Sequence, residues 1–248
     1  MNILAIGNSF SEDATRYLYE VAKADGEELT VVNLYIGGCS LDRHYRNMMS
    51  GERAYELQFN GKKTGFFVSL DEALLNREWD VVTLQQASHK SFDSKSYNPY
   101  IGELASHVRK CSPKARIYVH QTWAYEAGSD RLLNVAGYET PEQMLSDVIR
   151  SYDAAAQEID ADGIIRSGEL FARLLDNGIE RVHRDTFHAS LPLGRYALAL
   201  LWYVTLFGKG ISDVEICKLE ECISVEEERI VKQCAELFLE KELPYESI

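Results

Sequence analysis

The strongest constraint on the fold is a short apolar segment that ends in a glycine turn and leads directly towards a helical pattern. Residues Ile3 to Ile6 are apolar without interruption, as in a strand buried on both faces. Gly7-Asn8-Ser9 ends this segment, and helical spacing follows. A strand that turns into a helix in this way places its last residues at the carboxyl edge of a sheet, where open α/β folds bind ligands.

The same alternation of strand and helix continues along the chain. Four more buried strands are predicted over residues 29–36, 80–84, 115–120 and 163–166. Helices are predicted over residues 11–24, 100–110, 140–159, 167–175, 194–207 and 225–239, with Ser11 as the N-cap of the first. The pattern therefore predicts an α/β fold: a three-layer α/β/α sandwich around a flavodoxin-like, five-stranded parallel sheet.

The segment between residues 41 and 79 departs from this alternation. Asn60-Gly61 separates two apolar segments, residues 55–59 and 66–68, and Asn-Gly is a strong turn signal for a β-hairpin. We therefore predict a hairpin insertion around residues 51–70, near the edge of the sheet. The remaining sequence contains no linker or repeat, so residues 1–248 are expected to form a single domain.

Charge and cysteine content exclude several classes of partner. The formal net charge of −13 disfavours nucleic acid and anionic membranes, which require a basic face. Five scattered cysteines without a Cys-x-x-Cys pair indicate reduced thiols. The sequence shows neither a signal-peptide pattern nor a transmembrane run, so we expect a cytoplasmic protein. Homo-oligomerisation stays open, and no cofactor is expected because dinucleotide and P-loop motifs are missing.

A serine at the edge of the sheet becomes a nucleophile only if a base lies beside it. Asp185-Thr186-Phe187-His188 supplies an aspartate three residues before a histidine, which suits the orienting pair of a Ser-His-Asp triad with Ser9. On its own, the Asp-x-x-His spacing also fits an N-cap aspartate beside a surface histidine. A metal site formed by His183, Asp185 and His188 is the other alternative, but no further ligand cluster supports it, and we expect no metal.

These motifs occur in an order that resembles the SGNH (GDSL-type) hydrolase superfamily. They are a Gly-Asn-Ser-Phe sequence after the first strand, a glycine pair after the second, polar residues after the third and a late Asp-x-x-His. The resemblance covers about residues 1–207. It implies that Ser9 is the nucleophile, that Asp185 and His188 complete the triad, and that the amides of Ser9 and Gly38 form part of the oxyanion hole.

The sequence departs from that family where the third oxyanion donor is expected. The family pattern is Gly-x-Asn-Asp, whereas this chain has Gln85-Gln86-Ala87-Ser88. Gln86-Ala87-Ser88 is similar to the Gln-Gly-Glu-Ser sequence of the sialate O-acetylesterase-like group, which makes the Gln86 side chain the expected donor. Gln85 remains an alternative, because strand alternation turns only one of the two towards the site.

The resemblance implies a serine esterase that works through an acyl-enzyme. Its expected substrate is a small acyl ester, an O-acetyl group on a carbohydrate. The alternative is a non-catalytic, flavodoxin-like ligand-binding module. Three other positions have open roles: Trp123 and Tyr125 could stack on a sugar or pack in the core, and Arg184 could bind an anionic substrate or serve as a surface residue.

Overall fold

A mixed sheet of seven strands forms the centre of the fold. The computed structural model describes residues 1–211, 214, 219 and 222–239. The strands are β1 Asn2–Gly7, β2 Thr30–Tyr35, β3 Tyr55–Phe59, β4 Lys62–Val68, β5 Val81–Leu84, β6 Arg116–His120 and β7 Gly163–Ile165. Their order across the sheet is β4-β3-β2-β1-β5-β6-β7. Five of these strands, β2, β1, β5, β6 and β7, pair in parallel, which confirms the predicted parallel sheet.

Helices cover both faces of the sheet. They are α1 Ser9–Thr15, α2 Leu18–Ala24, α3 Leu41–Ser50, α4 Leu70–Leu74, α5 Tyr100–Cys111, α6 Pro141–Glu158, α7 Ser167–Asp176, α8 Leu193–Phe207 and α9 Val225–Glu236. Helix α8 packs against α1, α2, α7 and α9, and α5 packs against α3 and α4. None of the helices in the described part of the chain is long and apolar enough to cross a membrane.

Strand β1 lies at the centre of the sheet. The side chains in its middle are all apolar, so both faces of the strand can be buried under helices. Ile3, Leu4 and Ala5 are fully buried, and Ile3 pairs with Val31 of β2 on one side and Val81 of β5 on the other. A central strand with neighbours on both sides holds its carboxyl end rigidly, which fixes the turn that carries Ser9.

The predicted hairpin exists, but it belongs to the sheet. Strand β3 pairs antiparallel with β2, and β4 pairs with β3, so the hairpin adds two edge strands to the five parallel ones. Asn60 and Gly61 have φ values of 48° and 74°, as a type I′ turn requires. A Cβ at Gly61 would lie 2.2 Å from the carbonyl oxygen of Arg16, so this turn also needs glycine for close packing.

The first helix begins earlier and is shorter than predicted. Asn8 is its N-cap, since its side chain accepts a hydrogen bond from the backbone N–H of Phe10 at 3.0 Å. Ser11, the predicted cap, lies inside α1 and its Oγ hydrogen-bonds to the Asn33 side chain at 2.7 Å. The predicted helix 11–24 is split into α1 and α2. Ser9 is consequently the first helical residue, with its N–H at the helix N-terminus.

Candidate active site

Ser9 is presented by the tight passage from β1 into α1. Gly7 is required there because a Cβ at this position would lie 2.4 Å from Ser11 Oγ and 2.7 Å from Gln85 Oε1. Asn8 also donates from Nδ2 to the carbonyl oxygen of Cys39 at 3.0 Å, which ties this turn to the loop after β2. Ser9 itself is half-buried, so part of the residue is exposed at the edge of the sheet.

His188 and Asp185 lie in the loop between α7 and α8, and His188 reaches Ser9, which lies 179 residues earlier in the chain. His188 Nε2 is 2.8 Å from Ser9 Oγ, and His188 Nδ1 is 2.8 Å from Asp185 Oδ2. The backbone N–H of His188 also donates to Asp185 Oδ1 at 2.9 Å. Because the carboxylate accepts the Nδ1 proton, the Nε2 lone pair faces the serine hydroxyl, as a general base requires.

The charge state of Asp185 favours this arrangement. Partial burial alone would raise the pKa of Asp185, but hydrogen bonds from the ring and backbone of His188, together with nearby positive charge, bring that pKa below its ordinary value of 3.8. The carboxylate is therefore ionised at neutral pH. An ionised carboxylate both fixes the imidazole tautomer and stabilises an imidazolium.

The loop that carries the histidine is held in a strained conformation. Thr186 has a φ of 73°, which is unfavourable for a β-branched residue. Its carbonyl accepts from the N–H of Glu126 at 2.8 Å, and the carbonyl of Phe187 accepts from Trp123 Nε1 at 2.7 Å. The Phe187 ring packs on the His188 ring with centroids 3.8 Å apart. These contacts together hold the loop in this conformation although the backbone of Thr186 is strained.

Trp123 and Tyr125 pack in the core and do not form a sugar platform. Both are fully buried, and the Trp123 ring stacks on Phe10 with centroids 4.1 Å apart. Tyr125 donates its hydroxyl proton to Ser88 Oγ at 3.0 Å. Of the two roles left open by the sequence, the structure supports packing.

Asp13 is a residue of the site that the sequence analysis did not identify. It is fully buried on α1, and its two oxygens accept hydrogen bonds from Arg184 Nη1, both at 3.0 Å. It also accepts from Arg195 Nε at 2.8 Å and from the N–H of Ala189, the residue after His188, at 3.1 Å. Asp13 thus joins the helix of the serine to the loop of the histidine.

Burial raises the pKa of Asp13 from its ordinary value of 3.8, and the guanidinium groups of Arg195 and Arg184 oppose that shift. Arg184 is therefore occupied by Asp13 rather than free to serve a substrate or the surface. Two features of the sequence could have indicated this ion pair. Asp13 lies one helical turn after Ser9, and arginines lie on either side of the Asp-x-x-His motif.

Two backbone amides remain for an oxyanion hole. Among the described residues, neither the N–H of Ser9 nor that of Gly38 has a hydrogen-bond acceptor. Gly38 is exposed with a φ of 61°, a left-handed conformation that glycine adopts without strain. The Asn8–Cys39 hydrogen bond holds the two turns together. The predicted donors Ser9 and Gly38 thus lie on adjoining, tethered turns.

The hydrogen bonds of Gln86 contradict its assignment as the third oxyanion donor. Gln86 is fully buried; its Nε2 donates to the carbonyl oxygen and the Oγ of Ser96 at 3.0 and 3.1 Å. Its Oε1 accepts from the backbone N–H groups of Leu41 and Ala87. Gln85 offers no replacement, because it is buried and its Nε2 bonds to His120 Nδ1 at 2.9 Å. Both amides connect loops beneath the site.

The alternative metal site is not assembled. His183 Nε2 lies 3.0 Å from the carbonyl oxygen of Ala124, with its ring against Phe171. Within the described ranges, the His/Cys/Asp/Glu cluster with converging ligand atoms is a different one: Asp71, His107 and Cys111, on α4 and α5.

That cluster is explained by a hydrogen bond. Asp71 Oδ1 and His107 Nε2 are 2.6 Å apart. Two ligand atoms on a tetrahedral zinc would lie roughly 3.3 Å apart. The pair therefore joins two helices directly.

A cavity of about 410 Å³ opens between α6, α7 and the loop at Val182. Its lining includes Tyr125, Phe171 and His183, but neither Ser9 nor His188. We therefore do not assign the acyl group of a substrate to this cavity.

The sheet order, the flanking helices and the serine at the carboxyl edge define an α/β fold of the SGNH (GDSL-like) hydrolase type. A candidate SGNH hydrolase from Slackia heliotrinireducens has the same fold, with a TM-score of 0.61 and 22% identity over 83% of this chain and 98% of that one. A candidate GDSL-like lipase from Parabacteroides merdae matches with a TM-score of 0.51 and 13% identity over 82% and 93%.

The chain belongs to the family DUF4886, a domain of unknown function, whose profile matches residues 2–236. A DUF4886 family protein from Bacteroides uniformis has 29% identity and a TM-score of 0.88, over 98% of this chain and 95% of that one. None of the curated proteins matches this sequence.

Proposed function

We propose that this protein is a serine esterase that removes a small acyl group, an O-acetyl group, from a carbohydrate. The observation that carries the proposal is the unbroken series of hydrogen bonds from Ser9 Oγ through His188 to Asp185. This series lies at the edge of the sheet where α/β folds bind ligands. The likeness to SGNH-type folds supports the reaction class, and the resemblance of Gln86-Ala87-Ser88 to the sialate O-acetylesterase-like group supports the acetyl group.

The reaction would proceed through an acyl-enzyme. His188 Nε2 takes the Ser9 hydroxyl proton as Oγ attacks the ester carbonyl, and the N–H groups of Ser9 and Gly38 stabilise the oxyanion. The tetrahedral intermediate collapses, and the alcohol leaves with the proton from His188. Water, deprotonated by His188, then hydrolyses the acyl-enzyme. Asp185 stabilises the imidazolium in both halves.

The rest of the proposal concerns the setting of the enzyme. The four described cysteines, Cys39, Cys111, Cys222 and Cys234, are free thiols, which supports a reducing cytoplasm; Cys217 lies outside the described residues. The substrate is a small molecule. The reaction involves neither a nucleic acid, a membrane nor a cofactor. Self-association of the chain stays open.

Turnover of p-nitrophenyl acetate and of a panel of acetylated sugars tests this function. Ser9→Ala should lower kcat/KM by on the order of a thousandfold or more, because the nucleophile is lost. Ser94→Ala, at an exposed serine, serves as the matched control and should retain the wild-type rate. An inert wild type would favour the ligand-binding module instead. Full activity in Ser9→Ala would leave hydrolysis standing and remove Ser9 as nucleophile.

A further inference from the structure

Arg131 is a cation beside the candidate active site without an acidic partner among the described residues. It begins the π-helical turn Arg131–Ala136 and is half-buried. The neighbouring carboxylate, Asp130, is bonded to the side chain of Asn134. The arginines on either side of the Asp-x-x-His motif, Arg184 and Arg195, both bind Asp13, whereas the described residues place no carboxylate within ion-pair distance of Arg131.

Aromatic stacking holds the guanidinium of Arg131 in place. Its Cζ lies 3.7 Å from the centroid of the Phe187 ring and 5.7 Å from that of Tyr125. The Arg131 side chain also hydrogen-bonds to the Tyr125 hydroxyl, and a guanidinium stacked on a ring keeps its other N–H groups for a ligand. Stacking therefore fixes the position of Arg131 without neutralising its charge.

The position of Arg131 relates directly to the triad. Phe187, under the guanidinium, packs its ring on His188 at 3.8 Å, and His188 Nε2 is 2.8 Å from Ser9 Oγ. The guanidinium, the phenyl ring, the imidazole and the hydroxyl are thus consecutive neighbours. To contact Arg131, an ester bound at Ser9 needs a substituent on its acyl or its alcohol part that extends past His188 and Phe187.

The charge of Arg131 also affects His89, in the segment that follows β5. Burial lowers the pKa of His89, and the positive charges of Lys90 and Arg131 lower that pKa further. Asp42 opposes this effect, but it is bonded to Lys90 at 2.9 Å and to Arg46 at 3.1 Å. The charge of Arg131 is therefore felt at His89.

We propose that Arg131 forms an anion subsite that selects esters carrying a carboxylate on the acyl or the alcohol part. This proposal rests on the proposed esterase function and deepens it: on a carbohydrate, the carboxylate makes the substrate an acidic sugar. A carboxylate suits the planar fork of arginine, which binds both of its oxygens. The expected recognition group is thus one carboxylate, bound edge-on by Arg131.

Two matched pairs of esters test the subsite. 4-Acetoxybenzoate and 4-acetoxybenzamide differ in charge on the alcohol part, and 4-nitrophenyl hydrogen adipate and 4-nitrophenyl hexanoate differ on the acyl part. The readout is the ratio of kcat/KM for the charged ester to that for the neutral one. In Arg131→Gln this ratio should fall about tenfold or more for at least one pair, because a charge-assisted, bidentate hydrogen bond is lost.

Arg77→Gln is the matched control, since Arg77 also stacks on an aromatic ring, that of Trp79 at 5.4 Å, but lies away from the triad. It should keep the wild-type ratio. If Arg131 served only as a clamp on Phe187, Arg131→Gln would slow charged and neutral esters equally, and the ratio would stay constant. An unchanged ratio in both pairs overturns the subsite while the esterase function stands.

A binding measurement separates failure of the subsite from failure of the proposed function. The shift in melting temperature produced by 4-hydroxybenzoate is compared with that of 4-hydroxybenzamide, in the wild type and in Arg131→Gln. If no ester is hydrolysed, the esterase proposal fails, and the subsite is decided by this comparison alone. A shift specific to the carboxylate that disappears in Arg131→Gln supports the subsite; the absence of a carboxylate-specific shift overturns it.

Discussion

The buried carboxylate of Asp13 accepts hydrogen bonds through both of its oxygens from one nitrogen of Arg184, which lies four residues before His188. Asp13 follows Ser9 by four residues on α1. The ion pair between Asp13 and Arg184 therefore joins the helix that carries the nucleophile to the loop that carries the base. The relative position of Ser9 and His188 is therefore set by a buried contact one helical turn further along α1, on the same face of the helix.

Asp13→Asn should destabilise the protein and reduce hydrolysis. Removing one partner of a buried charge pair typically costs about 3–5 kcal/mol in the free energy of unfolding, since Arg184 and Arg195 would remain without their carboxylate. Urea unfolding measures this loss, and ester turnover is measured at a temperature where the variant is folded. Asp153→Asn removes an exposed partner of Arg166 and should cost less than about 1 kcal/mol. Wild-type stability and turnover in Asp13→Asn would contradict the positioning role.

Asp185→Asn should lower kcat by on the order of a hundredfold or more, because an amide cannot fix the Nδ1–H tautomer of His188 while stabilising its cation. The pKa of Asp185 is lowered on folding, so its contacts with His188 stabilise the fold above its ordinary pKa and are lost as pH falls below it. The carboxylate stays ionised above about pH 5, so the variant should be slower than the wild type throughout the neutral range. A deficit confined to acidic pH in the kcat profile would be inconsistent with this role.

Gln86→Ala should act on stability rather than on catalysis. It leaves the N–H groups of Leu41 and Ala87 without their acceptor, which costs about 1–3 kcal/mol for buried groups. Loss of an oxyanion donor would instead lower kcat by on the order of a hundredfold or more. Denaturant unfolding and steady-state kinetics on the same preparation separate the two. A large fall in kcat with unchanged stability would restore Gln86 to the oxyanion hole.

His120 should make the fold sensitive to acid. Burial lowers its pKa to about 3, and Nδ1 accepts from Gln85 while Nε2–H donates to Ser167 Oγ. Its folded pKa lies below the unfolded value near 6.5, so the unfolded chain binds more protons and stability falls as pH decreases below about 6.5. The slope is about 1.4 kcal/mol per pH unit for one such histidine. His120→Gln should give a shallower slope between pH 7 and 5; an unchanged slope would refute this account.

The parallel sheet was predictable because its strands carry their own signal. Continuous apolar segments such as Ile3–Ile6, each followed by a glycine or polar turn and a helix, fit few arrangements other than a parallel sheet covered on both faces. The hairpin turn at Asn60-Gly61 was equally local, since both residues readily adopt positive φ. The sequence did not show that β3 would pair with β2, because strand pairing depends on contacts between distant segments.

The site was predictable only in part. Ser9, Asp185 and His188 were identified from the order of motifs, and the structure brings their side chains within hydrogen-bond distance. The assignment of Gln86 failed because the orientation of an amide depends on which loops pack around it. Asp13 was missed for a related reason: its role comes from two arginines on other elements.

The sequence by itself determined the elements of this protein and the chemistry available at the ends of its strands, since apolar periodicity and turn residues act over a few neighbouring positions. Tertiary structure decided which polar groups meet. Hydrogen bonds and ion pairs act over about 3 Å, so a hydroxyl, an imidazole or a buried carboxylate gains its function only from the segments that folding places against it. Ser9 becomes a candidate nucleophile when the Asp13 contacts hold the loop of His188 beside it.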